Sequence, residues 1–555
     1  MPRKNPKIKI SLLGGLNEIG KNMTVIEYRG DIVVIDCGLI FPEDEMLGID
    51  IVIPDITYLV KNKDRIRALL VTHGHEDHIG AIPYFLKKLN VPIYSMKFTL
   101  GLIKLKLKEH NITGVEQHEV QPKQKISVGA FDAEFIRVNH SIPDSCCIAL
   151  HTDAGIIFHT GDFKIDFTPI DKNKADLTEI ADVGKKGVLC MLGESTNVEL
   201  PGYTESESTV GTTLSNIFAA EQNNRIFVAT FASNVHRLQQ IIDAAYKNGR
   251  KVAVTGRSLA NILAVASEFN YIKIPKNTYI DLRDINDYND NELVIITTGS
   301  QGEPLAALTR MSKMEHRQIE IKQGDVVIFS AHPIPGNEKL VSRVINSLFE
   351  RGAKVIYDTV SEIHVSGHAR QEELKLMLTL VNPKYFVPIH GEKRHLIQHK
   401  RMAQKLGIPE RNIFLMYNGD VLEIDKGQKK AGITGKVQAG NVLVDGLGVG
   451  DVGNIVLRDR KHLSEDGLIV IVIPASDLNN LEQKIEIISR GFVYVRESEK
   501  LIEEIKKIAA ETFRQCCDES MTDRAGIKNM IKDNLKNYLF EKTKRDPMIL
   551  PIIID

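Results

Sequence analysis

The segment Val71-Thr72-His73-Gly74-His75-Glu76-Asp77-His78-Ile79-Gly80 places four candidate metal ligands within six residues. An apolar strand is predicted over Ala68–Thr72 and runs directly into His73. Because alternate side chains of an extended chain point to the same side, His73 and His75 can face one pocket. The pair Asp77-His78 begins a predicted helix that can face the same pocket from the other side. Neutral imidazoles and a carboxylate are ligands of zinc and manganese, so the segment predicts a metal site.

The spacing of these ligands excludes a single-helix metalloprotease. A His-Glu-x-x-His motif that starts at His75 requires a histidine at position 79, where the chain has Ile79. Four ligands in this arrangement exceed what one tetrahedral ion uses, which indicates two ions and further ligands from distant segments. Three candidates each follow an apolar strand and precede a turn, namely His140, Asp162 and His390.

The chain has 555 residues, which predicts three or four domains at about 100–200 residues per domain. Residues 1–205 consist of short apolar strands separated by tight turns, a pattern typical of packed sheets. In residues 206–360 helical stretches alternate with apolar strands, which favours a parallel sheet covered by helices. Residues 361–427 hold a predicted strand between two helices. The glycine-rich residues 428–455 are interpreted as a linker, and residues 456–555 as a small α+β domain.

The charge and the cysteines limit the location and the partners. Lysine and arginine number 71 against 72 acidic residues, so the net charge is −1. This balance argues against a protein held to nucleic acid by its overall charge, although charge can be local. No stretch approaches the about 20 apolar residues of a membrane span, and no signal peptide is indicated. Six cysteines without a Cys-x-x-Cys pair fit a reducing compartment, so we expect a cytoplasmic protein that does not bind membranes.

Motifs along the whole chain resemble those of a known family. The pattern His73-x-His75-x-Asp77-His78, with Asp36, His140 and Asp162, resembles the metal signature of the metallo-β-lactamase superfamily. The inserted segment, followed by Ser366-Gly367-His368 and Pro388-Ile389-His390-Gly391, resembles the β-CASP branch of nucleic-acid nucleases. Within this branch the chain is similar to the ribonuclease J family through five further motifs: Gly14-Gly15-Leu16-Asn17-Glu18-Ile19-Gly20-Lys21-Asn22-Met23, Asp36-Cys37-Gly38, Gly193-Glu194-Ser195-Thr196-Asn197, Phe231-Ala232-Ser233-Asn234-Val235-His236-Arg237 and Thr298-Gly299-Ser300-Gln301-Gly302-Glu303-Pro304.

The resemblance implies an α/β protein of three parts. These are a metallo-β-lactamase αββα sandwich, an inserted Rossmann-like β-CASP domain and a small C-terminal α+β domain. The metallo-β-lactamase domain takes residues 1–205 and is completed by 361–427, and the β-CASP domain takes 206–360. The linker covers 428–455 and the C-terminal domain 456–555.

The resemblance also implies a site with two Zn²⁺ ions per subunit, with Mn²⁺ or Mg²⁺ as alternatives in activity. In this arrangement His73, His75 and His140 hold one ion, and Asp77, His78 and His390 hold the other. Asp162 bridges the two ions, while Asp36 and Glu194 orient the ligands. The implied catalytic residues are His368, Asp162, Glu194 and Asp36.

The implied reaction is phosphodiester hydrolysis by a metal-bound hydroxide, in which His368 donates a proton to the leaving 3′ oxygen or contacts the phosphate. The terminal nucleotide and its 5′ monophosphate are held by residues of two segments. These predicted substrate contacts are Ser233, Asn234, His236, His364, Val365, Ser366, Gly367 and His368. Helix capping is an equally weighted alternative for Ser233 and Asn234, because a helix is predicted to begin at Val235.

The resemblance implies a ribonuclease that acts on single-stranded RNA as a 5′-to-3′ exonuclease, prefers a 5′ monophosphate and also cleaves internally. It implies roles in mRNA decay and rRNA maturation, with mRNA and rRNA precursors as substrates. A homodimer or homotetramer formed through the C-terminal domain is expected, and proteins of an RNA-degradation complex are further candidate partners.

Several alternatives stay open from the sequence alone. A small-molecule hydrolase of the same superfamily is opposed by the inserted domain, and a metal-free RNA-binding subunit by the complete ligand set. A DNA-processing β-CASP nuclease is a closer alternative. A stripe of Lys528, Lys532 and Lys536 predicts the solvent face of an amphipathic helix, with an RNA or subunit contact as the alternative.

Overall fold

The computed structural model describes residues 6–301, 303, 306–333, 337–357, 363–425, 430–475, 480–493 and 498–554. The chain divides into two compact units. One comprises Met1–Ile40 with Ile53–Asn441, and the other comprises Phe41–Val52 with Val442–Asp555. Among the described residues, no helix combines the length and the apolar character that crossing a bilayer requires.

The first unit contains two sheets that share one apolar core. Fully buried side chains from both sheets, among them Ile10, Ile26, Phe135 and Ile148, belong to this core. The strands of one sheet, in spatial order, are Lys430–Lys436, Asp420–Asp425, Ile8–Gly14, Met23–Tyr28, Asp31–Ile35, Ile66–Leu70, Ile93–Ser95 and Gln117–Glu119. Those of the other are Tyr385–Ile389, Val188–Glu194, Gly155–His159, Cys146–Thr152, Phe131–Arg137 and Lys125–Val128.

Helices cover these sheets, as an αββα sandwich requires. A second apolar cluster joins the six-stranded sheet to helices Leu177–Lys185, Gln371–Val381 and Lys393–Lys405, through side chains such as Ile180 and Met377. The other helices of this part are Thr57–Lys61, Glu76–Ile79, Ile82–Leu86 and Lys97–Glu109, with 3₁₀ turns Lys63–Arg65 and Glu410–Asn412. The strand Ile51–Pro54 crosses the boundary between the two units in the chain, after Val52.

The inserted segment forms a five-stranded parallel sheet, as the alternation of strands and helices predicts. Its apolar strands are almost wholly buried, which is usual where helices cover both faces of a sheet. In spatial order the strands are Lys251–Thr255, Leu293–Thr297, Ile226–Ala229, Val326–Phe329 and Lys354–Ile356. The helices are Ser208–Ala220, Val235–Lys247, Arg257–Glu268, Ala307–Ser312 and Glu338–Glu350, with 3₁₀ turns Leu282–Asp287 and Asp290–Glu292.

The second unit is the predicted small α+β part. Ile469, Ile471 and Ile473 alternate along one strand and are fully buried in a core with the two long helices. The sheet consists of Glu486–Arg490, Leu468–Pro474 and Met548–Ile554. The helices are Asn454–Asp466, Leu481–Lys484, Glu499–Asp518 and Arg524–Thr543, and Asn441–Asp445 pairs with Gly448–Val449. In the last helix the leucines and isoleucines are buried. Lys532 and Lys536 face solvent as predicted, whereas Lys528 is half-buried.

Some local predictions were wrong. The sequence predicts one strand near Ile126–Phe131, but the structure has two strands there, Lys125–Val128 and Phe131–Arg137, and Gly129, with a φ of 58°, turns the chain between them. The helix Lys97–Glu109 was not predicted, because lysines alternate with leucines toward its end in a period typical of a strand. Within the segment interpreted as a linker, Lys430–Lys436 pairs with Asp420–Asp425 as an edge strand, while residues 428 and 429 lie outside the described residues. The domain boundaries stay a prediction, and the one at 360 also lies outside the described part.

Candidate metal centre

Loops that follow four strands bring the predicted ligands together. The strand Ile66–Leu70 leads to the His73–His78 segment, and Phe131–Arg137 leads to His140. Asp162 follows Gly155–His159, and His390 follows Tyr385–Ile389 directly. Because the apolar strands fix the backbone on both sides of the core, ligands far apart in sequence reach one place.

Three imidazoles form the first part of the centre. His75 Nδ1 lies 3.2 Å from His73 Nε2 and 3.0 Å from His140 Nε2. Burial lowers the pKa of His73 and of His140 well below the usual range of histidine. Burial likewise lowers the pKa of His75 to about 4. The three rings are therefore neutral at pH 7, which is the form that binds a metal ion.

Two carboxylates and two imidazoles form the second part. Asp162 Oδ2 lies 3.2 Å from Nε2 of both His78 and His390, and 3.7 Å from His73 Nε2. Asp77 Oδ2 lies 3.6 Å from His78 Nε2 and 3.5 Å from His390 Nε2. Burial raises the pKa of Asp162, but His390 and His78 outweigh burial and hold it well below the usual range. Asp162 thus contacts both parts of the centre as a carboxylate.

Asp36 supports these ligands from behind. Its Oδ2 is 2.8 Å from His78 Nδ1, and it also accepts the Thr72 hydroxyl at 2.8 Å. Its Oδ1 accepts the backbone N–H of Thr72 at 2.8 Å. Burial lowers the pKa of His78, but Asp162, Asp77 and Asp36 outweigh burial and raise it. A bond at Nδ1 leaves Nε2 directed at the centre, which is how a neighbouring carboxylate orients a ligand histidine.

His368 lies beside the ligands and is paired with Glu194. Its Nδ1 is 3.2 Å from Glu194 Oε2 and 3.9 Å from Asp162 Oδ2, and its ring centroid is 5.0 Å from that of His140. Burial lowers the pKa of His368, but the Glu194 carboxylate outweighs burial and raises it to about 9. Glu194 is held in turn by the backbone N–H groups of Phe163 and Thr196, each at 3.2 Å. Glu194 thus favours the protonated form of His368, whereas burial favours the neutral form of His73, His75 and His140.

The segment that precedes His368 is fixed by hydrogen bonds to the centre. The Gly367 carbonyl accepts His140 Nδ1–H at 2.7 Å. Ser366 Oγ accepts the Asn197 side-chain amide at 2.8 Å and the backbone N–H of His368 at 3.2 Å. Two more of the predicted substrate contacts, Val365 and His364, are buried and half-buried. The structure thus brings Ser366, Gly367 and His368 to the site, with part of their hydrogen-bonding capacity already used.

The three predicted substrate contacts of the inserted segment differ in their surroundings. Asn234 caps the helix Val235–Lys247, because its side chain accepts the backbone N–H of Arg237 at 3.0 Å. Ser233 is half-buried next to it. His236 lines a narrow cavity together with His140, so it reaches the neighbourhood of the ligands.

Sequence reasoning assigned no role to Asn22, which lies at the centre. Its Nδ2 is 3.1 Å from His78 Nε2, 3.4 Å from Asp77 Oδ2 and 3.2 Å from the Asp77 carbonyl. Thr72 was missed in the same way. The sequence did offer one indication of a role for each residue. Asn22 belongs to the motif Gly14–Met23 and Thr72 to the metal-ligand segment Val71–Gly80.

The donor set fits divalent ions. Ring nitrogens of His73, His75 and His140 lie within 4.8 Å of one another, and so do the ligand atoms of the second part. A third overlapping group joins His140 and Asp162 to His368. Imidazole nitrogen with carboxylate oxygen suits zinc and also manganese. The part of the chain that the structure describes contains no separate cluster of this kind.

Family models match four stretches of the chain. The model of the metallo-beta-lactamase superfamily matches residues 16–179, and that of the ribonuclease J beta-CASP domain matches 223–348. The Zn-dependent metallo-hydrolase RNA specificity domain matches residues 352–415, and the ribonuclease J C-terminal domain matches 455–555.

Similar proteins span the full length of the chain. It is 46% identical over 559 residues to ribonuclease J2 of Bacillus subtilis (strain 168), a match that covers 100% of both chains. It is 44% identical over 556 residues to ribonuclease J 1 of Streptococcus pyogenes serotype M3, with 99% of this chain and 98% of that one covered. The match to ribonuclease J of Thermus thermophilus is 41% identical over 556 residues and covers 99% and 95%.

A solved structure shares the fold. The crystal structure of a protein of unknown function from Enterococcus faecalis V583 matches with a TM-score of 0.55 at 18% identity, covering 75% of this chain and 100% of that one. The fold, the metal-binding geometry and the full-length relatives agree. The chain belongs to the ribonuclease J family of metal-dependent ribonucleases, in the β-CASP branch of the metallo-β-lactamase superfamily.

Proposed function

We propose that this chain cleaves single-stranded RNA at the centre described above, with two zinc ions per subunit and Mn²⁺ or Mg²⁺ as alternatives in activity. The ligands are His73, His75 and His140 for one ion, Asp77, His78 and His390 for the other, and Asp162 for both. The position of Asp162 carries the proposal, because its Oδ2 lies within 3.7 Å of ring nitrogens from both groups. When bound, the ions supply Lewis-acid stabilisation of the phosphodiester and lower the pKa of water.

His368 holds the proton that the departing 3′ oxygen needs. Its contact with Glu194 favours the protonated ring, and it stands directly beside the metal ligands. An acid in this position can protonate the leaving oxygen as the phosphodiester bond breaks. Asp36 and Glu194 act through His78 and His368, whose orientation they determine.

The substrate contacts hold the terminal nucleotide and its 5′ monophosphate. His236 supports this assignment, since it lines one cavity with His140. Ser233 and the segment from His364 to His368 complete the set, and Asn234 acts by capping the helix that carries His236. We propose that the enzyme degrades RNA from the 5′ end, prefers a monophosphate, also cleaves internally, and serves mRNA decay and rRNA maturation in the cytoplasm.

Assembly into a homodimer or homotetramer is supported by an open apolar face in the second unit. Each strand of its sheet buries one side against the helices, and the other side exposes Ile488, Leu550, Ile552 and Ile554 to between 43% and 46%. Because a solvent-facing side of a sheet usually carries polar residues, this face is suited to a second copy of the chain. Proteins of an RNA-degradation complex are further proposed partners.

The test uses one RNA sequence with either a 5′ monophosphate or a 5′ triphosphate, labelled at its first internucleotide phosphate. We expect labelled mononucleotide from the monophosphate form and internal fragments from both. Asp162→Asn and His368→Gln should each lower the rate by at least about 100-fold, and a chelator should abolish cleavage. His118→Gln, at an exposed histidine, serves as the matched control. Unchanged cleavage by Asp162→Asn overturns the proposal, and equal cleavage of a 2′-deoxy substrate points to a DNA nuclease.

A further inference from the structure

The loops that carry two of the ligands continue into the wall of another cavity. Arg137 stands three residues before His140, and Asp166 stands four residues after Asp162. Both line a surface cavity of about 330 Å³, which we call the Phe167 cavity after the residue at its rim. Arg137 also lines the narrow cavity that His140 and His236 line, so this residue borders both spaces.

The acidic residues of the Phe167 cavity are already satisfied. Asp166 accepts the backbone N–H groups of Thr168 at 2.9 Å and of Glu207 at 3.1 Å. Asp176 caps a helix by accepting the N–H of Glu179 at 3.1 Å, and it pairs with Lys123 at 2.8 Å. Their oxygens are therefore occupied by groups of the protein, and the charge of Asp176 offsets part of that of Lys123 and Arg137, which leaves Lys174 in excess among the charged residues of the lining.

Two cations of the cavity have few partners of their own. Arg137 reaches the side-chain carbonyl of Asn173 at 3.4 Å, a long contact between groups that face solvent. Lys174 is exposed, and no acidic residue in the described ranges pairs with it. The cavity therefore offers positive charge to an anionic ligand, despite the net charge of −1 for the whole chain.

An aromatic ring stands at the same place. Phe167 is 57% exposed, although the residues before it, Ile165 and Asp166, are buried. An exposed aromatic ring beside cations is the arrangement by which proteins hold single-stranded nucleic acid, since bases stack on the ring and phosphates meet the charges. The volume of the cavity also falls in the range of small-molecule sites.

We infer that the Phe167 cavity binds one nucleotide of the single-stranded RNA substrate, with the base on Phe167 and a phosphate at Arg137 and Lys174. The inference rests on the proposed function, because it places a nucleotide next to the cleavage site. The contact adds affinity for RNA and takes no part in the chemical step.

Kinetics on a labelled single-stranded decamer with a 5′ monophosphate tests the inference. Phe167→Ala should raise KM about tenfold and leave kcat unchanged within a factor of about two, whereas Phe167→Trp should restore the KM. The matched control is Phe41→Ala, which removes another exposed phenylalanine. For the charge, Lys174→Glu should raise KM more than Lys172→Glu, since Lys172 is exposed two residues away and does not line the cavity.

Two further arms separate the sources of failure. Hydrolysis of bis(p-nitrophenyl) phosphate reports on the metal centre alone and should be equal in all variants. Inhibition by adenosine 5′-monophosphate tests whether a free nucleotide, rather than a residue of the RNA chain, occupies the cavity. If Phe167→Ala abolishes this inhibition but leaves the KM for RNA unchanged, the RNA assignment is overturned. Equal KM values for the Phe167→Ala and Phe41→Ala variants also overturn it. If the unaltered protein cleaves no RNA, the proposed function has failed instead.

Discussion

The carbonyl oxygen of Gly367 accepts a hydrogen bond from Nδ1–H of His140 at 2.7 Å. This bond selects the tautomer of His140 in which Nε2 keeps its lone pair, and Nε2 is the atom that lies 3.0 Å from His75 Nδ1. A carbonyl behind a ligand histidine fixes the ring and raises its basicity. Gly367 is thus a supporting group of the centre, although it has no side chain.

Replacement of Gly367 by alanine should damage the centre through His140. A Cβ at position 367 would lie 2.7 Å from both His140 Cε1 and Ser141 Oγ, so the imidazole must move. We expect Gly367→Ala to lower metal affinity or cleavage by about 10–100-fold, measured by metal content after dialysis and by RNA cleavage. The control is Gly432→Ala, where a Cβ meets nothing within 4 Å. Full metal content and activity in Gly367→Ala would contradict this role.

Asn22 should control how firmly the second part of the centre binds its ion. With a metal at His78 Nε2, the amide can donate only to Asp77, which at 30% exposure is the most exposed ligand of its group. We expect Asn22→Ala to bind the ion of the second part more weakly than the unaltered protein does, with the overall fold retained. Titration with Co²⁺, followed by its visible absorption, measures the two binding steps separately.

The controls for Asn22 distinguish positioning from loss of structure. Asn90→Ala removes an exposed asparagine and should bind Co²⁺ as the unaltered protein does. Asn22→Ser retains a donor of shorter reach and should recover part of the second step. Two unchanged binding steps in Asn22→Ala would rule out a role for its amide.

The clustering of the predicted ligands could be expected from sequence, because two signals coincide at three of them. The side chains of His140, Asp162 and His390 can bind metal. Each follows an apolar strand, and the apolar sequence of these strands predicts that they are buried. The parallel sheet of the inserted segment was predictable for the same reason, since runs such as Ile226–Ala229 are apolar throughout.

The supporting contacts could not be predicted, because they depend on which loops meet. The bond from His140 to Gly367 spans 227 positions, and that from Asn22 to His78 spans 56. Nothing local to either residue indicates its partner. The helix Lys97–Glu109 could not be predicted for another reason. Lysine and leucine alternate toward its end with a period of two, which is typical of a strand, and packing against neighbouring helices overrides this pattern.

His399 should make the stability of the first unit depend on pH. The ring is fully buried, with Nδ1 3.0 Å from Ser195 Oγ, and burial lowers its pKa to about 3. The unfolded chain takes up this proton near pH 6.5, whereas the folded chain does not until about pH 3. The contribution of His399 to the free energy of unfolding is therefore fully present above pH 6.5. It is lost as the pH falls, by up to about 2 kcal/mol between pH 6.5 and 5.

Urea unfolding of the unaltered protein and of His399→Gln, at several pH values, measures this contribution. The glutamine cannot titrate, so the free energy of unfolding of the variant should fall less between pH 6.5 and 5. The metal-site histidines titrate in both proteins and cancel in the comparison. Parallel slopes for His399→Gln and the unaltered protein would contradict the assignment.

A charge on the open face of the C-terminal sheet should dissociate the proposed oligomer. Leu550 is 45% exposed and lies on the strand Met548–Ile554, where it pairs in register with Val470 of the central strand, so its side chain stands beside that of Val470 on the open face. Burying a leucine contributes about 1.5–3 kcal/mol, and a carboxylate there loses this gain and must also be desolvated. We expect Leu550→Glu to weaken association at least about tenfold, seen by light scattering coupled to size-exclusion chromatography. Leu447→Glu, at a fully exposed leucine in a turn, should keep the mass of the unaltered protein. A Leu550→Glu protein of unchanged mass, or an unaltered protein that is already monomeric, would exclude this face as the interface.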